Sequence, residues 1–369
     1  MSIPPSPNGA KRAGPILVHV YGRTDVGRAR EHNEDAFAVA DLTTGTVSLT
    51  PEARTYPVGE RGLLFMVADG MGGAAAGELA SAMAVDVVLE ELKSRWGASP
   101  RQDVETFATG LRASTETANS RIHRFATDHP EHRGMGTTAT IAGLLADTLY
   151  LVQVGDSRAY LVRDGIARQI TKDQSLMQKL IEAGEITAEE AEQSERRNII
   201  LQALGPEALI RTDLTHQRIC RNDTLVLCSD GLSGQMRIDD IAQAIAGEAS
   251  LDASVGRLID LANANGGPDN ITVVAARFDG DGLAIPTAAD PVGHAVFPLP
   301  GGDVTPQVPI GRYVSSASIP AAQADNVLAT RVGPPRPVAA GRGTPMLLLL
   351  GLVVLAALIA VAAYRYIVE

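Results

Sequence analysis

Short apolar runs separated by polar turns recur along the chain, and they predict a fold rich in β-strands. The runs are LLFMVA (63–68), TATIAGLLA (138–146), LYLVQV (149–154), AYLVRDG (159–165), TLVLCS (224–229) and ITVVAARF (271–278). Several of them follow one another with only a short turn between, and Asp164–Gly165 is a typical hairpin turn. We therefore predict that much of the sheet structure is antiparallel.

Two long segments with helical periodicity interrupt these strands. Residues 77–96 and 103–128 place apolar side chains three or four positions apart, as one buried face of a helix requires. A smaller helical insert is predicted at 174–198, and two more helices at 238–247 and 255–264. Runs of strands together with paired helices favour an α+β class, with sheets packed together and helices outside.

The ends of the chain differ from its middle, and we predict five regions. These are a disordered leader at 1–14, a folded domain at 15–280, a flexible linker rich in Pro, Ala and Gly at 281–345, a membrane-spanning helix at 346–364 and a short tail at 365–369.

The membrane helix is predicted from a run without charges, Met346–Ala363. At 1.5 Å per residue the run reaches about 27 Å, close to the thickness of a bilayer's hydrocarbon core. Arg331, Arg336 and Arg342 precede it and only Arg365 follows it. The tendency of positive charge to stay inside therefore predicts a cytoplasmic location for the folded domain.

Composition narrows the functional classes. The formal charge of −11 argues against a general nucleic-acid-binding protein, which usually has a basic surface. The chain has only two cysteines, Cys220 and Cys228, and no C-x-x-C pair, so a thiolate zinc site or a disulfide framework is not expected. This usage fits a reducing compartment.

Carboxylates recur at the ends of the apolar runs. The six are Asp69 in LFMVADG, Asp156 in LVQVGDS, Asp230 in LVLCSDG, Asp269 in GGPDNITVV, and Glu34 and Asp35 in REHNEDAFAVA. Strands of one sandwich can bring their ends together at one edge. Because converging carboxylates repel one another, each resists ionising unless a cation neutralises the group.

Ligand type indicates which cation fits. The candidates are carboxylates and backbone carbonyls without Cys or His partners, which suits Mg²⁺ or Mn²⁺. Gly70 lets its carbonyl approach a metal with no Cβ in the way. An acidic centre also needs help to hold a phosphate, and Arg30 in RAREHNED is placed to clamp one bidentately.

A nucleotide-binding fold is the competing interpretation. Residues 70–75 match G-x-G-x-x-A after a predicted strand and before a predicted helix. However, Asp69 would set a negative charge beside the pyrophosphate, and no second strand with a terminal acid follows at the expected distance. A P-loop and a G-x-S-x-G elbow are also absent from the sequence. We therefore reject this interpretation.

The sequence resembles the metal-dependent protein phosphatases, the type 2C serine/threonine phosphatases, and in particular their bacterial members. The matching pieces, in the family's order, are TDVGRAREHNEDAF, FMVADGMGG, GMGTTAT, VQVGDSRAYLVRDG, RNIILQALG, LVLCSDGL and GGPDNITVV. The resemblance implies a two-sheet antiparallel β-sandwich flanked by helix pairs. It also implies hydrolysis of phosphoserine and phosphothreonine in proteins, the products of a cognate kinase, through a metal-bridging water and without a phosphoenzyme.

The resemblance also assigns ligands to a centre of two Mn²⁺ or Mg²⁺ ions. Asp69 is expected to bridge both metals. Asp230 and Asp269 are expected to complete the first site, and the carbonyl of Gly70 is expected to bind the second metal.

Further roles follow from the same resemblance. Glu34 or Asp35 is expected to act through metal-bound water, and Asp156 matches a position that holds a third, weaker metal. Arg30 matches the phosphate-binding arginine, and Asn270 is expected to orient a water or a phosphate oxygen.

The insert at 174–198 matches the family's flap but departs from its pattern. Many relatives read D-H-S where this chain has Asp173–Gln174–Ser175, and many read H-P-x-R-N where it has SERRN at 194–198. The flap therefore lacks two familiar histidines, which leaves substrate preference open. The alternative function is a catalytically weak, membrane-tethered scaffold that binds phosphoproteins.

Overall fold

The computed structural model describes residues 14–299 and the short strand at 314–315. In chain order the strands are β1 (Leu17–Asp25), β2 (Asp35–Asp41), β3 (Thr46–Ser48), β4 (Arg54–Pro57), β5 (Leu63–Met71), β6 (Gly136–Thr137), β7 (Ala139–Leu145), β8 (Thr148–Val154), β9 (Arg158–Arg163), β10 (Ile166–Gln169), β11 (Ile199–Ile200), β12 (Asp213–Arg218), β13 (Thr224–Cys228), β14 (Ile271–Asp279) and β15 (Val314–Ser315).

The helices match most of the predicted helical segments. They are α1 (Ala74–Leu92), which continues into a π-helical turn (Lys93–Gly97), α2 (Val104–Asp128), α3 (Leu176–Glu182), α4 (Ala188–Glu192), α5 (Asp230–Ser233), α6 (Ile238–Gly247) and α7 (Leu251–Ala264). Asp103 caps α2, where its side chain accepts a 2.8 Å hydrogen bond from the N–H of Thr106. The predicted helical insert resolves into two short helices, α3 and α4.

Two large antiparallel sheets form the centre of the domain. The first has the order β10-β9-β13-β14-β1-β4, and the second has the order β12-β8-β7-β5-β2-β3, with β6 paired to the end of β5. Asp164 and Gly165 both have positive φ, 51° and 76°, as the predicted hairpin between β9 and β10 requires. The α+β class with antiparallel sheets is confirmed.

Alternating side chains divide the core into three layers. Phe65, Leu227 and Val274 point between the two sheets. Met66, next to Phe65, packs outward against a cluster that includes residues of α1 and α2. Val226, next to Leu227, packs outward with residues of α6 and α7. Each sheet is thus covered by a helix pair on its outer face, because its central strands are apolar on both sides.

Strand β5 runs further than its apolar run. The sequence predicts a strand that ends at Ala68, with Asp69 after it. Instead Asp69 lies within the strand, opposite Asp35 of β2, and Gly70 pairs with Thr137 of β6. The pairing partners on either side extend the strand through these polar positions, which hydrophobicity alone does not reveal.

The folded domain also extends past its predicted end at 280. Phe297 is buried against Tyr150, with ring centroids 5.3 Å apart. Its N–H donates to the carbonyl of Leu214 at 2.9 Å, and the N–H of His216 donates to that of Ala295 at 2.9 Å. Ala295 and Phe297, which lie in the segment predicted as linker, thus pack on the edge of the second sheet.

The remaining terminal predictions fall outside the described part of the chain. They are most of the leader, most of the rest of the linker, the membrane helix at 346–364 and the tail. Within 14–299 and 314–315, no helix is both long and apolar enough to cross a bilayer.

Candidate metal centre

Two aspartates lie opposite each other on neighbouring strands, at the centre of a cluster of carboxylates. Asp35 on β2 lies directly opposite Asp69 on β5. The backbone of Asp69 is clamped: its N–H donates to Oγ1 of Thr138 at 3.0 Å, and its carbonyl accepts from the N–H of Thr138 and from Oγ1 of Thr137, both at 2.9 Å. These bonds hold the backbone of a residue that is only 9 % exposed.

Three further aspartates reach the same place from both sheets. Asp156 lies in the turn between β8 and β9, Asp230 begins α5 just after β13, and Asp269 precedes β14. Burial, reinforced by the charges of Asp35, Asp230, Asp269 and Asp156, raises the pKa of Asp69 well above its usual range. The predicted convergence of these carboxylates is therefore present in the fold.

Ionisation is also unfavourable for two other aspartates of the cluster, Asp35 and Asp156. Burial raises the pKa of Asp35 to about 7. Hydrogen bonds from Thr272 and Ser229 oppose this shift, and the charges of Asp230 and Asp269 add to it. Burial, with the charge of Asp230, also raises the pKa of Asp156 well above its usual range. A bound cation would relieve this repulsion.

The oxygen atoms present fit a hard divalent cation. Oδ1 of Asp35 and Oδ1 of Asp156 are buried and have no hydrogen-bond partner among the described residues. Across that same part of the chain, no three acidic, imidazole or thiol groups are already arranged to hold a metal ion. Mg²⁺ in proteins is usually held by carboxylates together with carbonyl and water oxygens, and the centre offers oxygens of the first two kinds.

Gly70 and Gly77 let helix α1 close against the end of β5. A Cβ at Gly70 would overlap the carbonyl oxygen of Gly77 and lie 2.5 Å from that of Glu34, and a Cβ at Gly77 would overlap the Glu34 carboxylate. The N–H of Gly70 also donates to the carbonyl of Glu34 at 3.1 Å. Glu34 is thereby held beside the predicted carbonyl ligand.

Arg30 lies in the loop before β2 and contacts the centre directly. Its Nη2 donates to Oδ2 of Asp269 at 2.8 Å, and its side chain is about one-fifth exposed. Burial raises the pKa of Glu34 in the same loop, with the charge of Arg30 opposing the shift. The loop thus brings one cation and one carboxylate to the aspartate cluster.

Asn270, directly before β14, contacts the loop that carries Arg30. Its Nδ2 donates to the carbonyls of Val26 and His32, both at 2.9 Å, and its Oδ1 accepts from the N–H of Glu34 at 2.7 Å. Both amide hydrogens are therefore used within the protein. Asn270 thus positions the loop that carries Arg30 and Glu34. Its expected role toward a water or a phosphate oxygen stays a prediction.

The sequence and the fold are similar to those of known proteins. The profile of the protein phosphatase 2C family matches residues 53–272. The serine/threonine phosphatase stp of Listeria monocytogenes is 34% identical over 262 residues, which cover 71% of this chain and 96% of that protein. The chain belongs to the protein phosphatase 2C family. It is thus a protein phosphatase of the serine/threonine class, which favours the enzyme over the scaffold alternative.

Solved structures agree with this assignment of the phosphatase. The S. agalactiae serine/threonine phosphatase aligns with a TM-score of 0.61 at 33% identity, over 70% of this chain and 98% of that one. The catalytic domain of the phosphatase PstP, in complex with two manganese ions, aligns with a TM-score of 0.57 at 35% identity, over 72% and 99% of the two chains.

The base of the phosphatase flap is fixed by Gln174, which replaces a familiar histidine. Its Oε1 accepts from the N–H of Gly155 at 3.1 Å, and its Nε2 donates to the carbonyls of Gln153 and Arg211 at 3.3 and 3.1 Å. Gln174 therefore ties the flap to the turn that carries Asp156. Its sequence context gave no sign of this role.

Ser229 is a second residue that sequence reasoning missed. Its Oγ donates to Oδ2 of Asp35 at 2.8 Å and accepts from the N–H of Thr272 at 3.0 Å, so it joins the two sheets at the centre. Its place directly before Asp230 in LVLCSDG was the only available signal.

Proposed function

We propose that this phosphatase hydrolyses phosphoserine and phosphothreonine in proteins with water as the nucleophile and without a phosphoenzyme intermediate. The observation that supports this most directly is the facing pair of Asp35 and Asp69, each in a buried carboxylate cluster. Neither cysteine is suited to be a nucleophile, since burial raises the pKa of Cys220 to about 11 and that of Cys228 to about 12.

Divalent cations of the Mn²⁺ or Mg²⁺ type would be held by oxygen ligands of this centre. We assign two to the set of Asp69, Asp230, Asp269 and the Gly70 carbonyl, a third and weaker one to Asp156, and a contribution through water to Glu34 or Asp35. When bound, the cations would supply the positive charge that activates water and offsets the substrate phosphate. The two manganese ions in the PstP catalytic domain support this proposal.

Arg30 is proposed to bind the substrate phosphate. Its guanidinium already lies against Asp269, so it reaches the aspartates while one-fifth of its side chain remains exposed. Asn270 holds its loop in place through the carbonyls of Val26 and His32. A phosphate could then accept bidentate hydrogen bonds from a guanidinium that is fixed on the protein side.

We expect Arg30→Ala to raise KM for a phosphothreonine peptide by about 10- to 100-fold, because a charge-assisted hydrogen bond to phosphate is lost. Arg30→Lys should restore only part of the affinity, since an ammonium lacks the planar fork. Steady-state kinetics at saturating Mn²⁺ measure both, with Arg28→Ala as an exposed control in the same loop. An unchanged KM in Arg30→Ala would contradict the assigned role.

We also propose that residues 346–364 anchor the protein in a membrane, with the catalytic domain on the cytoplasmic side among proteins phosphorylated by a cognate serine/threonine kinase. The support is the charge-free run with arginines before it. The full chain should sediment with membranes, whereas a chain that ends at residue 299 should not. Full-length protein in the soluble fraction without detergent would contradict the anchor.

A further inference from the structure

A two-residue strand from the predicted linker pairs with the strand that directly follows the phosphatase flap. Strand β15 lies antiparallel to β11, with Ile199 opposite Ser315 and Ile200 opposite Val314. Strand β11 directly follows the flap, and β15 belongs to a region for which the sequence predicted neither helix nor strand. The pairing joins a distant part of the chain to the end of the flap by backbone contacts.

Strand β11 borders the catalytic centre. Ile200 also forms an antiparallel bridge with Ser175, so its strand lies between the start of the flap and β15. Ile200 is buried in a small apolar cluster with Met71 and Ala203. Met71 directly follows Gly70, the predicted carbonyl ligand. A chain that pairs with β11 therefore lies beside a strand that contacts Met71, the residue after Gly70.

An edge of this kind binds extended chains in general. Its backbone N–H and C=O groups can pair with any segment that adopts a strand, with little dependence on side chains. A segment of the same chain competes well for such an edge, since its covalent linkage raises its effective concentration. Protein substrates must also present a phosphorylated segment beside the centre.

We propose that β11 is a docking strand for extended substrate segments and that Val314–Ser315 occupies it as an intramolecular competitor. The proposal rests on the proposed function, since it concerns protein substrates. The two kinds of substrate should then behave differently. A phosphopeptide needs the edge of β11 for binding, whereas p-nitrophenyl phosphate reaches the metal centre without it. Displacement of β15 should therefore improve the binding of phosphopeptides and leave that of p-nitrophenyl phosphate unchanged.

The double substitution Val314→Pro/Ser315→Pro in the full chain tests the proposal, because proline removes the N–H groups that a strand pair uses. We expect KM for a phosphothreonine peptide to fall by about 3- to 10-fold, with kinetics on p-nitrophenyl phosphate unchanged. Ala321→Pro/Ala322→Pro is the matched control in the same region and should behave as the unchanged protein does.

A pair of introduced cysteines tests the opposite change, in which β15 is held on β11 by a disulfide. Ile199→Cys/Ser315→Cys places two thiols at opposed positions of an antiparallel pair, within the range of Cα separations that a disulfide spans. Oxidation should form the disulfide and raise KM for the peptide, and a reductant should reverse both. The native Cys220 and Cys228 are buried and should not interfere. Ile199→Cys/Ala322→Cys is the control.

Three results would overturn the proposal. They are an unchanged peptide KM in the double-proline variant, an equal change for p-nitrophenyl phosphate, and no faster disulfide formation than in the control pair. Failure of the proposed function is distinguishable, because the unsubstituted protein would then release no phosphate from the peptide while disulfide formation would still report the strand pairing.

Discussion

Asp69→Asn should lower phosphopeptide hydrolysis on the order of 10³-fold or more, because the charge at the centre of the cluster is lost while the side-chain size is kept. Burial raises the pKa of Asp69, and the charges of four other aspartates add to the shift, so its carboxylate lies near all of them. Phosphate release at saturating Mn²⁺ measures the effect. Thermal unfolding without metal should show no loss of stability, since a buried, repelling carboxylate has been removed.

Asp41→Asn is the matched control for this substitution. Asp41 is also buried, lies on the same strand pair, and faces Leu63 at the opposite end from Asp69. Its Oδ1 accepts hydrogen bonds from Thr43 and Thr44, which place it in a turn. We expect nearly normal turnover in Asp41→Asn. Retained activity in Asp69→Asn, or a loss explained by unfolding, would contradict the role of Asp69.

Gly70→Ala should reduce both stability and activity. The added methyl group meets the backbone carbonyls of Gly77 and Glu34, and neither can move without displacing α1 or the Arg30 loop. Overpacking of this kind costs about 1–3 kcal/mol of unfolding free energy. Displacement of the Gly70 carbonyl and Glu34 should lower kcat/KM by about 10²-fold, since small misplacements of reacting groups are costly.

Gly247→Ala is the corresponding control, because a Cβ at Gly247 at the end of α6 would meet no atom within 4 Å. This substitution should change neither the unfolding free energy nor kcat/KM appreciably. Denaturant unfolding and Mn²⁺-dependent phosphate release distinguish the two variants. If Gly70→Ala kept the stability and the metal dependence of the unsubstituted protein, the close contact between β5 and α1 would not be required for the centre.

The sheets and the carboxylates could be predicted because both have local signatures. Apolar runs of strand length, such as those of β8 and β13, require no knowledge of their partners. Asp156 and Asp230 follow such runs directly, so their convergence needed only that the strands share one edge. Asp69 was assigned to the end of its strand because a carboxylate inside β5 is tolerated only with the partners that β2 and β6 provide.

The features that the sequence did not predict depend on long-range contacts, which leave no periodic pattern along the chain. The Asn270 amide donates to two carbonyls of a loop more than two hundred positions earlier in the chain, a contact that no local pattern indicates. Gln174 holds the Asp156 turn through backbone groups, which any amide could do. Phe297 lies in a segment rich in Pro, Ala and Gly, so its packing against Tyr150 was not visible in the sequence.

Phosphate release from a phosphothreonine peptide during Mn²⁺ titration of the metal-stripped full chain tests the central claim most directly. We expect no release in excess chelator, a saturable recovery as Mn²⁺ is added, normal recovery in Asp41→Asn and almost none in Asp69→Asn. Full-rate hydrolysis by the unsubstituted protein in excess chelator would contradict a metal centre built on Asp69.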